Sequence, residues 1–128
     1  GPPAMNFLPV EGVEEENGRA VAMLSNGSRV VTGIPISSLG GGPYTLGIRA
    51  EDVQAGEGTP AVVDVVERLG DRTLVYARGA NGQVLVYDEP GHAPIRVNDA
   101  VRVRIDGLAA HLFGAEGRAH HSEEPVLE

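Results

Sequence analysis

Histidine, serine and threonine are the first candidates for chemistry, because the 128-residue chain contains no cysteine. The histidines stand at positions 92, 111, 120 and 121, and no serine lies in the Gly-x-Ser-x-Gly turn that exposes a nucleophile. An active site needs a nucleophile held against a base, a metal cluster or a cradle for a cofactor. The sequence offers none of these arrangements, so we expect no catalytic residue in this chain.

Three short segments have the residue types of an ion or phosphate site. They are His120–Glu124, with two histidines and two glutamates, the acidic run Glu14–Glu16, and the glycine run Gly40–Gly42. Stable metal sites need ordered surroundings, runs of like charge usually stay solvated, and a chain without lysine cannot form a Walker A motif. We therefore expect a solvated tail, a hairpin tip and a flexible connection, with no metal or cofactor bound here.

Composition indicates a modest core and argues against nucleic-acid binding. Hydrophobic residues make up 41% of the chain and aromatic residues only 4%, while 18 glycines and 9 prolines disfavour long helices. The net charge is −8 and every basic residue is arginine, and such a surface repels phosphate backbones. No apolar run approaches the roughly 20 residues of a membrane helix, so we expect a soluble chain.

The elements that must position any site are short strands joined by tight turns. Asn-Gly pairs at 17–18, 26–27 and 81–82 separate apolar stretches, which predicts two-residue hairpin turns with two positive φ angles. The flanking strands are predicted at 7–13, 19–24, 29–34, 73–78 and 83–87, with a further strand at 44–49. This pattern is typical of an antiparallel sandwich or small barrel.

Two later segments also have strand character. In 101–105, aliphatic side chains alternate with arginines, which predicts a half-buried strand. In 61–69, Val63, Val65 and Leu69 should share one face with Glu67, which predicts a strand partly covered on both sides. Breaks at 40–43 and 56–60 divide the chain into strand-rich halves, about 1–55 and 60–114. We expect a flexible acidic tail at 120–128.

Four strings, taken together and in order, resemble a known protein family. They are GPPAMNFL at 1–8, LGIRAEDV at 46–53, VVERLGD at 65–71 and HLF at 111–113. This ordered set resembles the C-terminal regulatory region of ATP-binding subunits of bacterial sugar importers of the MalK/UgpC type, over residues 1–119. The family pattern usually has proline where this chain has Ala50. Alanine lacks the constraint that proline places on φ and on the preceding residue, but we expect the local turn to survive.

The resemblance implies the fold, the function and the partners. The expected fold is all-β, an antiparallel OB-fold-like small barrel of the transport-associated (TOBE) type with short helical turns. The expected function is a non-catalytic regulatory and dimerisation domain of an ABC transporter ATPase that imports carbohydrate or glycerol-3-phosphate-like solutes. Partners would be a second copy of the subunit, permease subunits and a cytoplasmic regulatory protein, on the cytoplasmic face of the inner membrane. ATP and Mg²⁺ would bind a separate nucleotide-binding domain.

The matched strings supply the candidate regulatory or interface residues. They are Arg49, Glu51, Asp52, Glu67, Arg68, Gly70, Asp71 and His111. A purely structural reading of each is favoured over direct partner contact: Arg49 could pair with Glu51 or Asp52, Arg68 with Glu67, and Gly70 could adopt a positive φ. Leu112 and Phe113 are expected in the core.

Two other functions stay open at this point. A barrel mouth is a natural pocket, so the domain could sense a small ligand such as a sugar or an oxyanion, with Arg49, Arg68, Arg72 and Arg78 as the available anion partners. OB-fold-like barrels also bind nucleic acid by combining cations with stacking aromatics. The acidic charge and the five aromatic residues argue against the nucleic-acid alternative.

Overall fold

The computed structural model describes residues 4–123, in which the chain is all-β. The strands are β1 (Met5–Glu16), β2 (Arg19–Leu24), β3 (Arg29–Pro35), β4 (Tyr44–Arg49), β5 (Val53–Arg68), β6 (Arg72–Gly79), β7 (Val84–Pro90), β8 (Ala100–Ile105), β9 (His111–Phe113) and β10 (Ala119–His121). The helices of this region are the 3-10 turns η1 (Ile36–Ser38), η2 (Ala50–Asp52) and η3 (Gly107–Ala109). No helix in the described residues is long and apolar enough to cross a membrane.

The chain divides into two compact units that interleave along the sequence. The first unit contains residues 4–6 and 48–105, and the second contains residues 7–47 and 106–123. This division differs from the predicted consecutive halves, about 1–55 and 60–114. The composition breaks at 40–43 and 56–60 do not coincide with the unit boundaries, because strands β1 and β4 run across those boundaries.

The first unit contains a four-stranded antiparallel sheet in the order β7-β6-β5-β8. Its buried residues come from all four strands and are mainly aliphatic, as the low aromatic content requires. They include Val63, Leu74, Val75, Ala77, Leu85, Tyr87 and Val103. In β8, Val103 is buried between exposed Arg102 and Arg104, which confirms the alternation predicted for this strand.

Most of the second unit belongs to a six-stranded sheet in the order β10-β9-β4-β1-β2-β3. Its most buried side chains include Val21, Ile34, Leu46 and Leu112, none of which exposes any surface. The core position predicted for Leu112 is therefore confirmed. Phe113 is half-buried, and its ring lies 5.9 Å from that of Phe7.

The Asn-Gly pairs form hairpin turns of two kinds. Asn17-Gly18 has φ angles of 52° and 78°, the predicted two-residue geometry between β1 and β2. At Asn26-Gly27 and Asn81-Gly82 only the glycine has a positive φ, so the prediction of two positive angles is wrong there. The reason is a longer loop: Leu24 N–H donates to the carbonyl of Ser28 across three residues, and such loops place glycine alone in the left-handed region.

Strand β5 carries a bulge at Asp64 that changes which side chains are buried. Val63 faces Ala77 in the register with β6, but the next paired residue is Val65, which faces Tyr76. Val63 is fully buried, whereas Val65 is 50% exposed. The predicted common face for Val63 and Val65 is therefore wrong, because one extra residue in a strand shifts the alternation.

The predicted break at 56–60 is instead an irregular part of β5. The register with β8 shifts between Ala55 and Thr59, and Gly56 and Gly58 have φ angles of 116° and 107°. A Cβ on Gly58 would collide with the carbonyl oxygen of Val103. Glycine is needed here for a close approach between two backbones within one sheet, and this need accounts for a glycine-rich segment inside a strand.

The segment predicted as a flexible tail begins within a strand. Ala119–His121 form β10, which pairs with β9 so that His120 faces Leu112. The Ser122 hydroxyl donates to the carbonyl of Leu108 at 2.7 Å. The rest of the predicted tail, 124–128, and the first three residues of the matched N-terminal string lie outside the described residues.

Candidate regulatory surface

Arg49 lies at the end of β4, where the chain enters η2. Its backbone is extended, with φ −72° and ψ 148°, and its side chain is exposed. Glu51 is exposed and Asp52 half-buried in η2, but neither forms an ion pair with Arg49 within the described residues. The expected pairing at this turn is therefore wrong, and the β4–η2 junction is held by backbone contacts instead.

One of these backbone contacts involves the residue that departs from the family pattern. Ala50 is buried, and its N–H donates to the carbonyl of Ala4 at 3.0 Å. Proline has no N–H and could not form this hydrogen bond. The extended Arg49 that a following proline would favour is present without it. The local turn survives the loss of proline, as expected.

Asn6 holds the same junction, a role that the sequence did not indicate. Its side-chain amide is buried and donates to the carbonyls of Ile48, at 3.2 Å, and Val86, at 2.8 Å. Its side-chain oxygen accepts from the N–H of Val86 at 2.7 Å. Because β7 is an edge strand of its sheet, the Asn6 amide pairs with Val86 as one residue of a further strand would.

Arg68, at the end of β5, holds the loop that follows β7. Its guanidinium donates to the carbonyls of Ala93 at 2.6 Å and Ile95 at 3.1 Å, and to the Thr73 hydroxyl at 3.1 Å. A planar guanidinium suits several acceptors at fixed angles. The predicted pairing of Arg68 with Glu67 is wrong, because the carbonyl oxygens of the loop occupy its donors.

Gly70 and Asp71 form the turn between β5 and β6. Gly70 has a φ of 91°, which confirms the positive φ considered for it. The Asp71 carbonyl accepts from the N–H of Gly91 at 3.1 Å, and a Cβ on Gly91 would collide with the carbonyl oxygen of Gly70. The Asp71 side chain is exposed. The conformation of the turn therefore depends on close packing of two backbone segments.

Exposed apolar side chains lie along β5 beside this turn. Val62 is 46% exposed, Val65 50% and Leu69 44%, and Glu67 between the latter two is exposed as well. We call Val62, Val65, Glu67 and Leu69 the β5 surface. A single exposed hydrophobic residue is common on protein surfaces and needs no explanation. Several of them along one strand, with an acidic side chain beside them, are suited to contact with another protein.

His111 belongs to the second unit, where it lies half-buried in β9. Its ring is 6.5 Å from the ring of Phe113 and 6.0 Å from that of His121. Within residues 4–123, no group of three or more histidine, aspartate or glutamate side chains is placed to hold a metal ion. His111 therefore takes part in a cluster of rings within its own sheet.

Of the other arginines considered as anion partners, two are already paired with carboxylates. Arg78 contacts Asp64 at 2.6 Å, and Arg72 lies 3.8 Å from Asp88. The guanidinium of Arg68 is occupied by carbonyl groups. Within residues 4–123, Arg49 is thus the one member of that set whose guanidinium has no hydrogen bond or ion pair.

The structure brings the candidates together in groups and not at one centre. Glu67, Arg68, Gly70 and Asp71 lie at the β5–β6 turn. Arg49, Glu51 and Asp52 lie at the β4–η2 junction of the same unit, and His111 lies in the other unit. The assignment of these residues to a regulatory contact stays a prediction.

The antiparallel sheets of residues 4–123, joined by hairpins and 3-10 turns, agree with an OB-fold-like domain of the transport-associated type. The family model named TOBE domain matches residues 46–113, and the chain belongs to that family. A solved structure of the cytoplasmic molybdate-binding protein ModG, with molybdate bound, matches with a TM-score of 0.67 at 12% identity, covering 85% of this chain and 94% of ModG. This match shows a common fold.

Curated relatives extend the similarity to nearly the whole chain. The chain is 36% identical over 120 residues to the sn-glycerol-3-phosphate import ATP-binding protein UgpC of Cereibacter sphaeroides, covering 91% of this chain and 32% of the relative. It is 32% identical over 127 residues to the maltose/maltodextrin import ATP-binding protein MalK of Vibrio vulnificus, covering 93% and 34%. The chain therefore spans about a third of the length of these relatives.

Proposed function

We propose that this chain is the non-catalytic regulatory and dimerisation domain of the ATP-binding subunit of a bacterial ABC importer. The solute would be a carbohydrate or a glycerol-3-phosphate-like compound. The observation that carries the proposal is the match of over nine-tenths of the chain to one third of several import ATP-binding proteins. The TOBE assignment adds support, since it covers three of the four strings that suggested this family, those at 46–53, 65–71 and 111–113.

The proposed role is mechanical and involves no bond cleavage. Two subunits that stay paired through these domains would keep their ATPase domains at a high effective concentration even after nucleotide leaves. ATP and Mg²⁺ would bind those ATPase domains, and the permease subunits would contact the same domains. The location would be peripheral, on the cytoplasmic face of the inner membrane.

We place the contact with a second copy at the β5 surface. Val62, Val65 and Leu69 expose apolar area, and Glu67 supplies a charge at its edge. The adjoining β5–β6 turn is held by Arg68 and by the close approach of Gly91, so this surface is presented by fixed backbone. Fixed backbone lowers the entropy lost when two copies associate.

The first experiment compares Val65→Glu with Val31→Glu in the full-length subunit assembled with its permease. Both valines are exposed, Val31 at 42%, but Val31 lies on β3. We expect Val65→Glu to weaken pairing of the subunits and to alter inhibition by a cytoplasmic regulator, with ATP hydrolysis by the isolated subunit preserved. Sedimentation, transport and ATPase assays measure the three properties. Identical behaviour of both variants and the parent would contradict the β5 contact.

The second experiment tests the assignment to an ATPase subunit independently. The coding sequence upstream of Gly1 should contain a Walker A motif, a signature motif and a Walker B motif, and adjacent genes should encode permeases. A gene that joins this domain to an unrelated upstream domain would contradict the proposal. Failure of this test and failure of the β5 test are distinguishable, because one concerns the gene and the other a surface.

A further inference from the structure

His111 and His121 stand directly opposite each other in the β9–β10 pair of the second unit. Directly opposed residues of antiparallel strands project from the same face of a sheet, with their Cβ atoms about 4.5–5.5 Å apart. The two imidazole rings accordingly lie 6.0 Å apart between centroids, with their planes inclined by 59°. His111 is half-buried and His121 is exposed, so one ring is held by its neighbours and the other can adjust.

This separation suits a metal ion shared by the two rings. A metal bound to imidazole lies about 2.0–2.1 Å from the nitrogen, which places it about 3.2 Å from the centroid of the ring. Two rings that share a metal therefore have centroids at most about 6.4 Å apart, and about 4.5–5.2 Å apart at bond angles of about 90–110°. The observed 6.0 Å lies below the upper limit. Rotation of the exposed His121 side chain about its own bonds closes the remaining distance.

The aromatic rings beside this pair hold His111 in position. Phe113 lies two residues after His111 on the same face of β9, with ring centroids 6.5 Å apart, and the Phe7 ring lies 5.9 Å from that of Phe113. Apolar groups around a metal site limit the access of water to it. Each imidazole also has two nitrogens, so His111 can bind a metal through one nitrogen and keep a hydrogen bond at the other.

The donor set selects the class of metal. Imidazole nitrogen suits Zn²⁺, Ni²⁺ and Cu²⁺, whereas Mg²⁺ and Ca²⁺ prefer oxygen ligands. Within residues 4–123 no third histidine, aspartate or glutamate completes the group, so water would fill the other positions. The net charge of −8 favours a cation over an anion. His120 cannot join the pair, because successive residues of a strand project to opposite faces, and the site therefore differs from the run of adjacent histidines considered from sequence.

We propose that His111 and His121 together bind a divalent transition-metal ion of the class that prefers imidazole, with Zn²⁺ as the representative ion. The bound metal would join β10, the three-residue edge strand of its sheet, to β9. It would therefore fasten the C-terminal strand through side chains, in addition to the backbone hydrogen bonds of the strand pair. The site goes beyond the regulatory role and does not depend on it.

The test is a titration of the 128-residue chain with Zn²⁺, Ni²⁺ and Mg²⁺, followed by calorimetry and nuclear magnetic resonance. We expect saturable binding of Zn²⁺, with resonance shifts centred on residues 111–113 and 119–121. Paramagnetic Ni²⁺ should broaden the resonances of the same residues, and Mg²⁺ should leave them unchanged. Zn²⁺ should also raise the thermal midpoint, because a ligand that binds only the folded chain stabilises it.

Matched histidine variants make the outcome decisive. His111→Gln and His121→Gln should each raise the dissociation constant for Zn²⁺ at least about tenfold, because even substitutions behind the ligands commonly cost about 10–100-fold. His121 is exposed, so its variant keeps the test valid if replacing the half-buried His111 disturbs folding. His120→Gln is the control, since His120 pairs with Leu112 and projects from the other face of β10, and it should leave the affinity unchanged. No saturable Zn²⁺ binding, unchanged affinity in His121→Gln, an equal loss in His120→Gln, or binding of Mg²⁺ at the pair would overturn the proposal.

Discussion

Replacing Asn6 by alanine should destabilise the first unit more than its single small side chain suggests. The change removes three hydrogen bonds, to the carbonyls of Ile48 and Val86 and from the N–H of Val86. Each such bond contributes about 1 kcal/mol net, and a buried group left unpaired costs about 1–3 kcal/mol. We expect a loss of about 3–5 kcal/mol from a total of roughly 5–15 kcal/mol.

The assay is urea unfolding followed by far-ultraviolet circular dichroism, because the chain has no tryptophan. Asn26→Ala is the control, since the side chain of Asn26 accepts one local hydrogen bond, from the N–H of Ser28 at 2.9 Å. This control should lose about 1 kcal/mol or less. Two-state unfolding is checked with a second probe before the free energies are compared.

Asn6→Asp separates the loss of hydrogen bonds from the loss of volume. Aspartate keeps an acceptor for Val86 N–H but turns a charged oxygen toward two carbonyls. Its pKa in the folded state should therefore be raised, and stability relative to the parent should improve as the pH falls through the range where this carboxyl gains a proton. A loss below about 1 kcal/mol in Asn6→Ala, or a pH-independent defect in Asn6→Asp, would refute the reasoning.

Three further predictions concern other contacts of the first unit. Arg68→Lys keeps the charge but loses the planar donor group, so denaturant unfolding should show a loss of about 1–3 kcal/mol; an unchanged midpoint would count against its structural role. Gly91→Ala should destabilise by about 1–3 kcal/mol through its collision with backbone, whereas Gly12→Ala, with open space around it, should change stability by less than about 1 kcal/mol. Ultraviolet titration should show one phenol that ionises at about pH 12, and this step should be missing from Tyr87→Phe. Because folding raises the pKa of Tyr87, the stability of the folded chain should fall as the pH rises from about 10 to 12. A titration curve that the substitution leaves unchanged would exclude Tyr87 as the source of the step.

Local turn chemistry made much of this fold predictable. The Asn-Gly pairs identified three hairpins, and strands β2 and β4 begin and end at the predicted residues. These features depend on a few neighbouring residues, so a sequence window contains the information that they need. The same holds for the alternation in β8, where one face is buried and the other carries arginines.

Features that depend on distant backbone were not predictable. The bulge at Asp64 and the irregular register at 56–60 arise from pairing with β6 and β8, and neither leaves a distinctive local signal. For the same reason, the glycines of β5 predict a break at 56–60 where the structure has a continuous strand. Positive φ at Gly58 is set by a partner strand over forty residues away in sequence.

The candidate site divides in the same way. The matched strings identified the β5–β6 turn and the β4–η2 junction, but both predicted ion pairs were wrong, because backbone carbonyls and N–H groups hold these turns. Asn6 stood in a matched string, yet its partners Ile48 and Val86 could not be read from it. The sequence signal for its role was the presence of a polar amide among apolar residues at the beginning of β1. Tyr87 gave no signal beyond its place in a predicted strand.

The pairing of Asn6 with Val86 has a consequence for how the chain matures during synthesis. The two residues are 80 positions apart, and a ribosome adding about 5–20 residues per second needs roughly 4–16 s to bring the second one into existence. During that interval the N-terminal segment has been made, but its amide still bonds to water. The contact between Asn6 and β7 can therefore form only after Val86 has been made, and a pause in translation before the Val86 codon would prolong the time during which the Asn6 amide lacks this partner.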